Sequence, residues 1–169
     1  MTTPLARAAL AALCLLLANE ATAREVRHPV SGEPAIVLQV PDDWTDKPDS
    51  DGNQIVVSAD HSTSFVLSQG TSKGSLDDFA KVLLHMANAA PTMNVQDTSI
   101  SGQAGFILES TMKAPQGTPL QLQMAIVRVG EKGYLMCTRM ERQSNVPEQR
   151  QLADTVMKSV KIVGTGNKQ

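Results

Sequence analysis

The sequence predicts an α+β domain in which an antiparallel β-sheet is flanked by two main helices. Three observations support this fold class. Short apolar runs bounded by turn residues predict β-strands along most of the chain. The gaps between these runs have hairpin length, and hairpins join antiparallel strands, whereas parallel strands need long crossovers. Two other segments repeat apolar residues every three or four positions, which predicts amphipathic helices that bury one face on a sheet.

Composition limits the function classes that are open to the chain. It has 169 residues, with 15 Lys+Arg against 17 Asp+Glu, a net charge of −2 and 3% aromatic residues. This length fits one globular domain. A nucleic-acid-binding role is disfavoured, because there is no basic surplus to neutralise phosphates and there are few rings on which bases could stack.

Residues 1–23 have the pattern of a secretory signal peptide. Arg7 supplies a positive start, residues 8–18 are apolar, and Ala21-Thr22-Ala23 forms a cleavage site. The apolar stretch is shorter than the about 20 residues that a membrane span needs. We therefore expect cleavage near Ala23, a periplasmic or secreted product, and no stable membrane anchor afterwards.

Cysteine usage agrees with a domain that is stable without disulfides. Cys14 lies inside the apolar stretch, and Leu13 before it is larger than the small residue that precedes a lipid-modified cysteine. Cleavage would remove Cys14 and leave Cys137 as the only cysteine.

We expect a single domain over residues 24–163, followed by a flexible tail at 164–169.

The first half of the domain reads as two pairs of strands and a helix. A polar segment at 42–52 is predicted to be a loop, and the short gap at 59–62 predicts a hairpin. The helix begins at Ser75, a capping residue with Asp78 three positions later, and Pro91 ends it. The four predicted strands are 26–30, 35–40, 54–58 and 63–68.

The second half reads as strands followed by a closing helix. Leu120–Met124 alternates cleanly between apolar and polar residues. Residues 125–127 break this alternation, which predicts either a bulge or burial of both faces. The helix is predicted over 147–160, and Ile162 and Val163 add a short strand. The other predicted strands are 94–101, 106–112 and 134–141.

The order of these segments resembles the PsbP/DcrB-like family over Glu25 to Val163. The resemblance rests on four short motifs: residues 40–44 (Val-Pro-Asp-Asp-Trp), 75–79 (Ser-Leu-Asp-Asp-Phe), 102–106 (Gly-x-x-Gly-Phe) and 156–160 (Val-Met-Lys-Ser-Val). It implies an α/β/α sandwich with an antiparallel sheet between helices. It also implies an accessory or binding role, because members of the family mostly act in that way and share no catalytic motif.

The acidic segment at 42–52 is the densest charge cluster. Asp49, Asp51 and Gly52 match the third, fifth and sixth places of a helix-loop-helix calcium site. Lys47 falls where the first acidic ligand should be, and Ser58 where the bidentate glutamate should be. A solvated turn is therefore favoured over a calcium site.

The histidine, cysteine and methionine side chains also give no strong indication of a metal site. The three histidines, at positions 28, 61 and 85, lack zinc-site spacing. Cys137 with Met124, Met136 and Met140 suggests Cu(I), but strand alternation puts Met136 and Met140 on the face opposite Cys137. Core packing is the favoured interpretation. A nucleophilic role for Cys137 has no supporting flanking motif.

These observations predict a non-enzymatic accessory domain, chaperone-like or assembly-factor-like, that binds a protein partner. No catalytic, cofactor or metal residue is assigned. The candidate partner contacts are Trp44, Asp46, Asp49 and Asp51, because loops on a rigid sheet carry function. Trp44 is either a core anchor or an exposed contact. The alternative is a small-ligand or metal-ion binding periplasmic protein.

Overall fold

A computed structural model describes residues 22–71, 74–75, 78–79, 81–82, 85, 93–114, 116–130 and 132–164. All but two residues of the predicted signal peptide therefore lie outside the described residues. The same holds for most of the predicted first helix and for all but Gly164 of the predicted tail.

The described residues form ten strands and one continuous helix. The only described segments outside these elements are turns, loops and part of the helix predicted from Ser75. The elements, in order, are β1 (Ala23–His28), β2 (Ala35–Pro41), β3 (Thr45–Pro48), β4 (Gln54–Val57), β5 (Thr63–Thr71), β6 (Asn94–Ile100), β7 (Gln103–Lys113), β8 (Pro119–Val129), β9 (Gly133–Arg142), α1 (Pro147–Lys158) and β10 (Lys161–Val163).

The strands form two antiparallel sheets. A seven-stranded sheet has the order β3-β4-β5-β9-β8-β7-β6, and a three-stranded sheet has the order β1-β2-β10. Every pair is antiparallel, as the hairpin-length gaps predicted. The predicted hairpin around residues 59–62 is confirmed by the pairing of Val57 with Ser64.

The main core lies between the two sheets and α1. The strand alternation of β2 points Ile36, Leu38 and Val40 into it, and each is fully buried. The seven-stranded sheet contributes Phe65, Leu67 and their neighbours from the facing side. The helix adds its apolar stripe of Ala153, Val156 and Met157.

A second core covers the opposite face of the seven-stranded sheet. Phe106 and Leu108 of β7 lie in it, and Phe79 packs there against Tyr134 with ring centroids 4.0 Å apart. Strand β8 serves both cores, since residues 125 and 127 face the main core while 124 and 126 face the second. Its pairing with β7 and β9 is continuous, so burial of both faces, and not a bulge, explains the broken alternation at 125–127.

The prediction of two main helices is not matched, because α1 is the one continuous helix among the described residues. The helix predicted from Ser75 falls largely outside them, although Asp78, Phe79, Lys81, Val82 and His85 have helical backbone. Its predicted cap is present: the Asp78 amide donates to Ser75 Oγ at 3.1 Å. None of the described helical residues forms a stretch that is long and apolar enough to cross a membrane.

The prediction that 42–52 is only a loop is wrong. Strand β3 lies within it and pairs with β4, with Thr45 opposite Val57. All four β3 residues are exposed and none is aliphatic, so they show no apolar alternation. Pro48 is tolerated because β3 is an edge strand, where one missing donor breaks no ladder.

Candidate binding groove between the helix and the sheet

The main face of the seven-stranded sheet is only partly covered. The three-stranded sheet and α1 bury residues of β4, β5, β8 and β9. Toward β7 and β6, side chains on the same face become half-buried, as at Ile107, and then exposed, as at Gln96. A groove therefore remains between α1 and the β6–β7 end of the sheet.

This groove encloses a cavity of about 330 Å³. Its floor is apolar and its rim is polar, a combination typical of binding sites. The floor consists of Ile100, Ile107, Ala125, Met157 and Val160, and the rim includes Ser99, Ser101, Asp154 and Lys158.

A tight turn fixes one end of the groove. Ile100 pairs with Gln103, so Ser101 and Gly102 alone connect β6 to β7. Both have positive φ, 53° and 77°, as a type I′ hairpin turn requires. Ser101 Oγ accepts a hydrogen bond of 2.8 Å from the Ile162 amide, which ties this turn to β10 of the other sheet.

A buried ionic network lies beside the groove. Arg139 on β9 is 5% exposed and donates to Glu141 at 2.7 Å and to Asp154 of α1 at 2.5 Å. Glu141 is 2% exposed. Arg139 Nε has no hydrogen-bond partner among the described residues. The carboxylates of Glu141 and Asp154 compensate the hydration that the Arg139 guanidinium loses on burial.

The network continues across the sheet toward β6. Arg139 also donates to Gln123 at 3.4 Å, and Gln123 in turn donates to Glu109 of β7 at 2.8 Å. Glu109 pairs in register with Asn94, the first residue of β6. Polar groups therefore lie along one side of the apolar floor.

The structure places Trp44, the first predicted contact residue, in the main core. Its side chain is 5% exposed and packs against Phe65 with ring centroids 5.9 Å apart. Its carbonyl oxygen accepts a 2.7 Å hydrogen bond from Arg24 of β1. Of the two interpretations left open from sequence, this geometry is that of a core anchor.

The three predicted aspartates do not line the groove. Asp46 forms an ion pair of 2.6 Å with Arg24 and accepts from Gln54 at 2.5 Å. Asp49 closes a turn by accepting from the Asn53 amide and side chain, both at 2.9 Å. These bonds lower the pKa of Asp49, with the Asn53 side chain as the largest cause. Asp51 is exposed.

The described residues contain no group of three or more His, Cys, Asp or Glu that could hold a metal ion. Met136 and Met140 pack in the second core, whereas Cys137 lies in the main core, as strand alternation predicted. Cys137 Sγ instead lies 3.9 Å from Met157 Sδ.

Burial makes Cys137 unreactive, and this can be tested. The residue is fully buried, and desolvation raises the pKa of its thiol far above the usual range. We expect Ellman's reagent to leave Cys137 unmodified in the native protein and to modify it in guanidinium, as followed by peptide mass mapping. Rapid native labelling would contradict this burial.

Two titratable groups make the fold sensitive to acid. Burial lowers the pKa of His28 below 6.5, partly offset by Asp49, and its Nε2 has no partner among the described residues. Asp60 has a pKa lowered to about 2, chiefly by the Ser58 hydroxyl and then by the amide and hydroxyl of Ser62. It also accepts a hydrogen bond from Gln149 of α1.

Both shifts act in the same direction. Below pH 6.5 the unfolded chain binds a proton at His28 more readily than the folded chain, so stability falls as pH falls. A second loss is expected between pH 3.8 and about 2, where Asp60 is protonated first in the unfolded chain. Urea unfolding across pH checks both stages: His28→Gln should remove the first, Asp60→Asn the second, and an unchanged profile in either variant would contradict its assignment.

Sequence reasoning missed the groove residues. Ile107 reads simply as a strand residue, and its partial exposure depends on how far the three-stranded sheet and α1 reach over the seven-stranded sheet. A signal for the network was present, because Arg139 and Glu141 are two apart in a strand whose same face carries Leu135 and Cys137. Charges at such positions need partners.

Comparison with known proteins gives no match by sequence but clear matches by structure. No protein-family model matches the chain, and no curated protein matches it. Saccharomyces cerevisiae Ran-binding protein Mog1p is 13% identical with a TM-score of 0.58, over 86% of this chain and 98% of Mog1p. LpqN, involved in cell envelope biogenesis of Mycobacterium tuberculosis, is 14% identical with a TM-score of 0.56, over 84% of this chain and 92% of LpqN.

A third similar structure is cyanobacterial PsbP (CyanoP) from Synechocystis sp. PCC 6803. It is 11% identical with a TM-score of 0.59, over 86% of this chain and 95% of CyanoP. At such identities a likeness establishes architecture and leaves function to be argued from the site. The chain has the PsbP/DcrB-like fold, which it shares with Mog1p and LpqN, as the sequence resemblance predicted.

Proposed function

We propose that this chain is a non-enzymatic accessory domain that binds a protein partner through the groove between α1 and β6–β7. The observation that carries the proposal is the groove of about 330 Å³, whose apolar floor includes the half-buried Ile100, Ile107 and Val160 beside a polar rim. Apolar surface that the fold leaves uncovered beside polar groups is characteristic of interaction sites.

The similar structures support a binding role. Mog1p is described as a Ran-binding protein, and LpqN as involved in cell envelope biogenesis. The chemistry of the described residues points the same way. Cys137, the candidate nucleophile in the sequence, is fully buried in the main core. The groove presents a mixed surface of aliphatic, hydroxyl and charged side chains.

Photo-crosslinking tests the proposal directly. Benzoylphenylalanine placed at Ser99, on the groove rim, should capture one discrete protein in cells of the native source. The same label at Asp51 is the matched control, because this exposed residue belongs to the acidic segment first proposed from sequence as a contact surface. Capture at Asp51 alone would move the binding surface to that segment, and capture at neither would reject the protein-binding role.

A floor variant checks that the captured protein uses the groove. Ile107→Thr keeps a β-branched residue in β7 but removes apolar area from the floor. We expect crosslinking from Ser99 to fall at least severalfold while the melting curve stays cooperative. Unchanged crosslinking in this variant would contradict a role for the floor.

We further propose that the domain is exported. Residues 1–23 have the features of a cleaved signal peptide, and Arg24, the residue that would follow the cut, is held by Asp46 and by the Trp44 carbonyl. Intact-mass measurement of the protein from the periplasm or medium should give a chain that begins at Arg24. A product that retains residues 1–23 would reject cleavage.

A small-ligand role is the second candidate, because the groove volume reaches the lower end of the range for small-molecule sites, about 300–1,000 Å³. A ligand bound to the folded state raises the melting temperature by mass action. A thermal-shift panel of Ca²⁺, Cu(I) and a short-chain lipid separates the two roles. A flat melting temperature across the panel would count against this alternative.

A further inference from the structure

The two edges of the seven-stranded sheet differ in how well they are protected. Edge strand β3 has four residues and carries Asp46, Lys47 and Pro48, which are the features that block pairing with another chain. Edge strand β6 has seven residues, contains neither lysine nor proline, and bears a single charge, Asp97. Among the described residues, no strand pairs with its outer side.

The side chains of β6 alternate between the groove face of the sheet and the opposite face. Gln96 and Thr98 lie opposite Ile107 and Gly105, so they share the face that carries the groove. Val95 and Asp97 lie on the other face. Val95 is 41% exposed, and the preceding residue on that side, Met93, is 38% exposed. Uncovered apolar side chains therefore accompany the unpaired backbone.

We propose that an extended segment of the partner adds to β6 as an eighth strand of this sheet. This inference rests on the proposed function and specifies its occupant. Main-chain hydrogen bonds to the outer side of β6 would supply affinity. Alternate side chains of the added strand would lie beside Gln96 and Thr98, next to the apolar floor formed by Ile100 and Ile107.

Charge argues against a second copy of this chain as the occupant. A symmetric antiparallel pairing of β6 over all seven residues centres on Asp97 and places it directly opposite its own copy. Like charges in that position are destabilising. The neighbouring symmetric registers, which keep the faces matched, shorten the pairing to residues 94–98 or 96–100, about five residues.

The negative charge of Asp97 also indicates which residue the partner segment should carry opposite it. A basic residue opposite Asp97 would form a favourable cross-strand pair. The structure therefore fits an extended segment with a lysine or arginine at its centre and small or β-branched residues around it.

A charge-swap experiment tests strand addition. The probe is a capped seven-residue peptide of alternating valine and threonine with lysine at its centre, and the matched peptide has aspartate there. Binding to the full-length protein is followed by NMR titration. We expect the lysine peptide to bind about threefold to tenfold more tightly than the aspartate peptide, with shifts and amide protection confined to β6 and the groove.

Two variants that change the net charge of the protein by the same amount test whether the peptide preference depends on Asp97. Asp97→Lys, at an exposed position, should reverse the preference so that the aspartate peptide binds more tightly. Asp51→Lys should leave the preference of the wild-type protein unchanged. Equal affinities, no response along β6 at millimolar peptide, or shifts confined to another strand would each overturn the proposal.

The outcomes also separate this inference from the proposed function. If Ser99 captures a partner in cells and Asp97→Lys leaves that capture unchanged, protein binding stands and strand addition fails. If Ser99 captures nothing, the proposed function itself fails. Sedimentation of the wild-type protein should give a monomer. A dimer that the lysine peptide dissociates would identify a second copy as the occupant and overturn the choice of partner.

Discussion

Replacement of Arg139 by methionine is expected to lower the free energy of unfolding by about 3–5 kcal/mol. The substitution keeps an aliphatic stem in the core but leaves Glu141, 2% exposed, as a buried carboxylate without its cation. It also breaks the 2.5 Å pair that holds Asp154 of α1 to β9. Urea denaturation at pH 7 measures the loss.

Two controls assign this loss to the buried partner. Arg139→Met combined with Glu141→Leu should recover most of the stability, because an apolar pair can replace a buried ion pair. Asp154→Asn alone should cost no more than about 1 kcal/mol, since this side chain is 54% exposed and solvent weakens the pair. A loss below about 1 kcal/mol for Arg139→Met would contradict the network.

Replacement of Trp44 by alanine is expected to lower the free energy of unfolding by about 3–5 kcal/mol. The cause is the loss of buried apolar surface and the cavity that the missing ring leaves behind. The ring is 5% exposed and contacts Phe65, so both the transfer free energy and the packing around it are lost. Equilibrium unfolding followed by circular dichroism measures the change, because the variant lacks the only tryptophan.

The matched variant is Trp44→Phe, which keeps an aromatic ring against Phe65 and should lose clearly less stability. Crosslinking from Ser99 gives an independent measurement of binding. A Trp44→Ala protein that kept its stability within about 1 kcal/mol but lost partner capture would show that Trp44 is a contact and not a core anchor.

Local patterns predicted the elements that depend on neighbouring residues. The Ser75 cap, the alternation of Leu120–Met124 in β8 and the apolar stripe of α1 each follow from spacing within a few positions of the chain. Burial of both faces at 125–127 was one of two predicted alternatives. The register of β8 with β7 and β9 decided between them.

Features that depend on distant contacts could not be predicted in the same way. Strand β3 has no apolar alternation to mark it, and it forms because Thr45–Pro48 pairs with β4. The division into two sheets depends on Ile162 pairing with Ile36, far away in sequence. The groove is a region that neither the second sheet nor α1 covers, so no local residue pattern identifies it.

The position of β2 at the centre of the three-stranded sheet sets a condition on when the domain can fold. One neighbour of β2 is β1, which is synthesised just before it. The other neighbour is β10, which is synthesised more than a hundred residues later. Until Lys161–Val163 emerges from the ribosome or crosses a membrane, one side of β2 has no strand to complete it, and Ser159 cannot accept from the Gln39 amide. Completion of the domain is therefore expected to be a late, whole-chain event that leaves the polypeptide open to chaperones or proteases while it is being made.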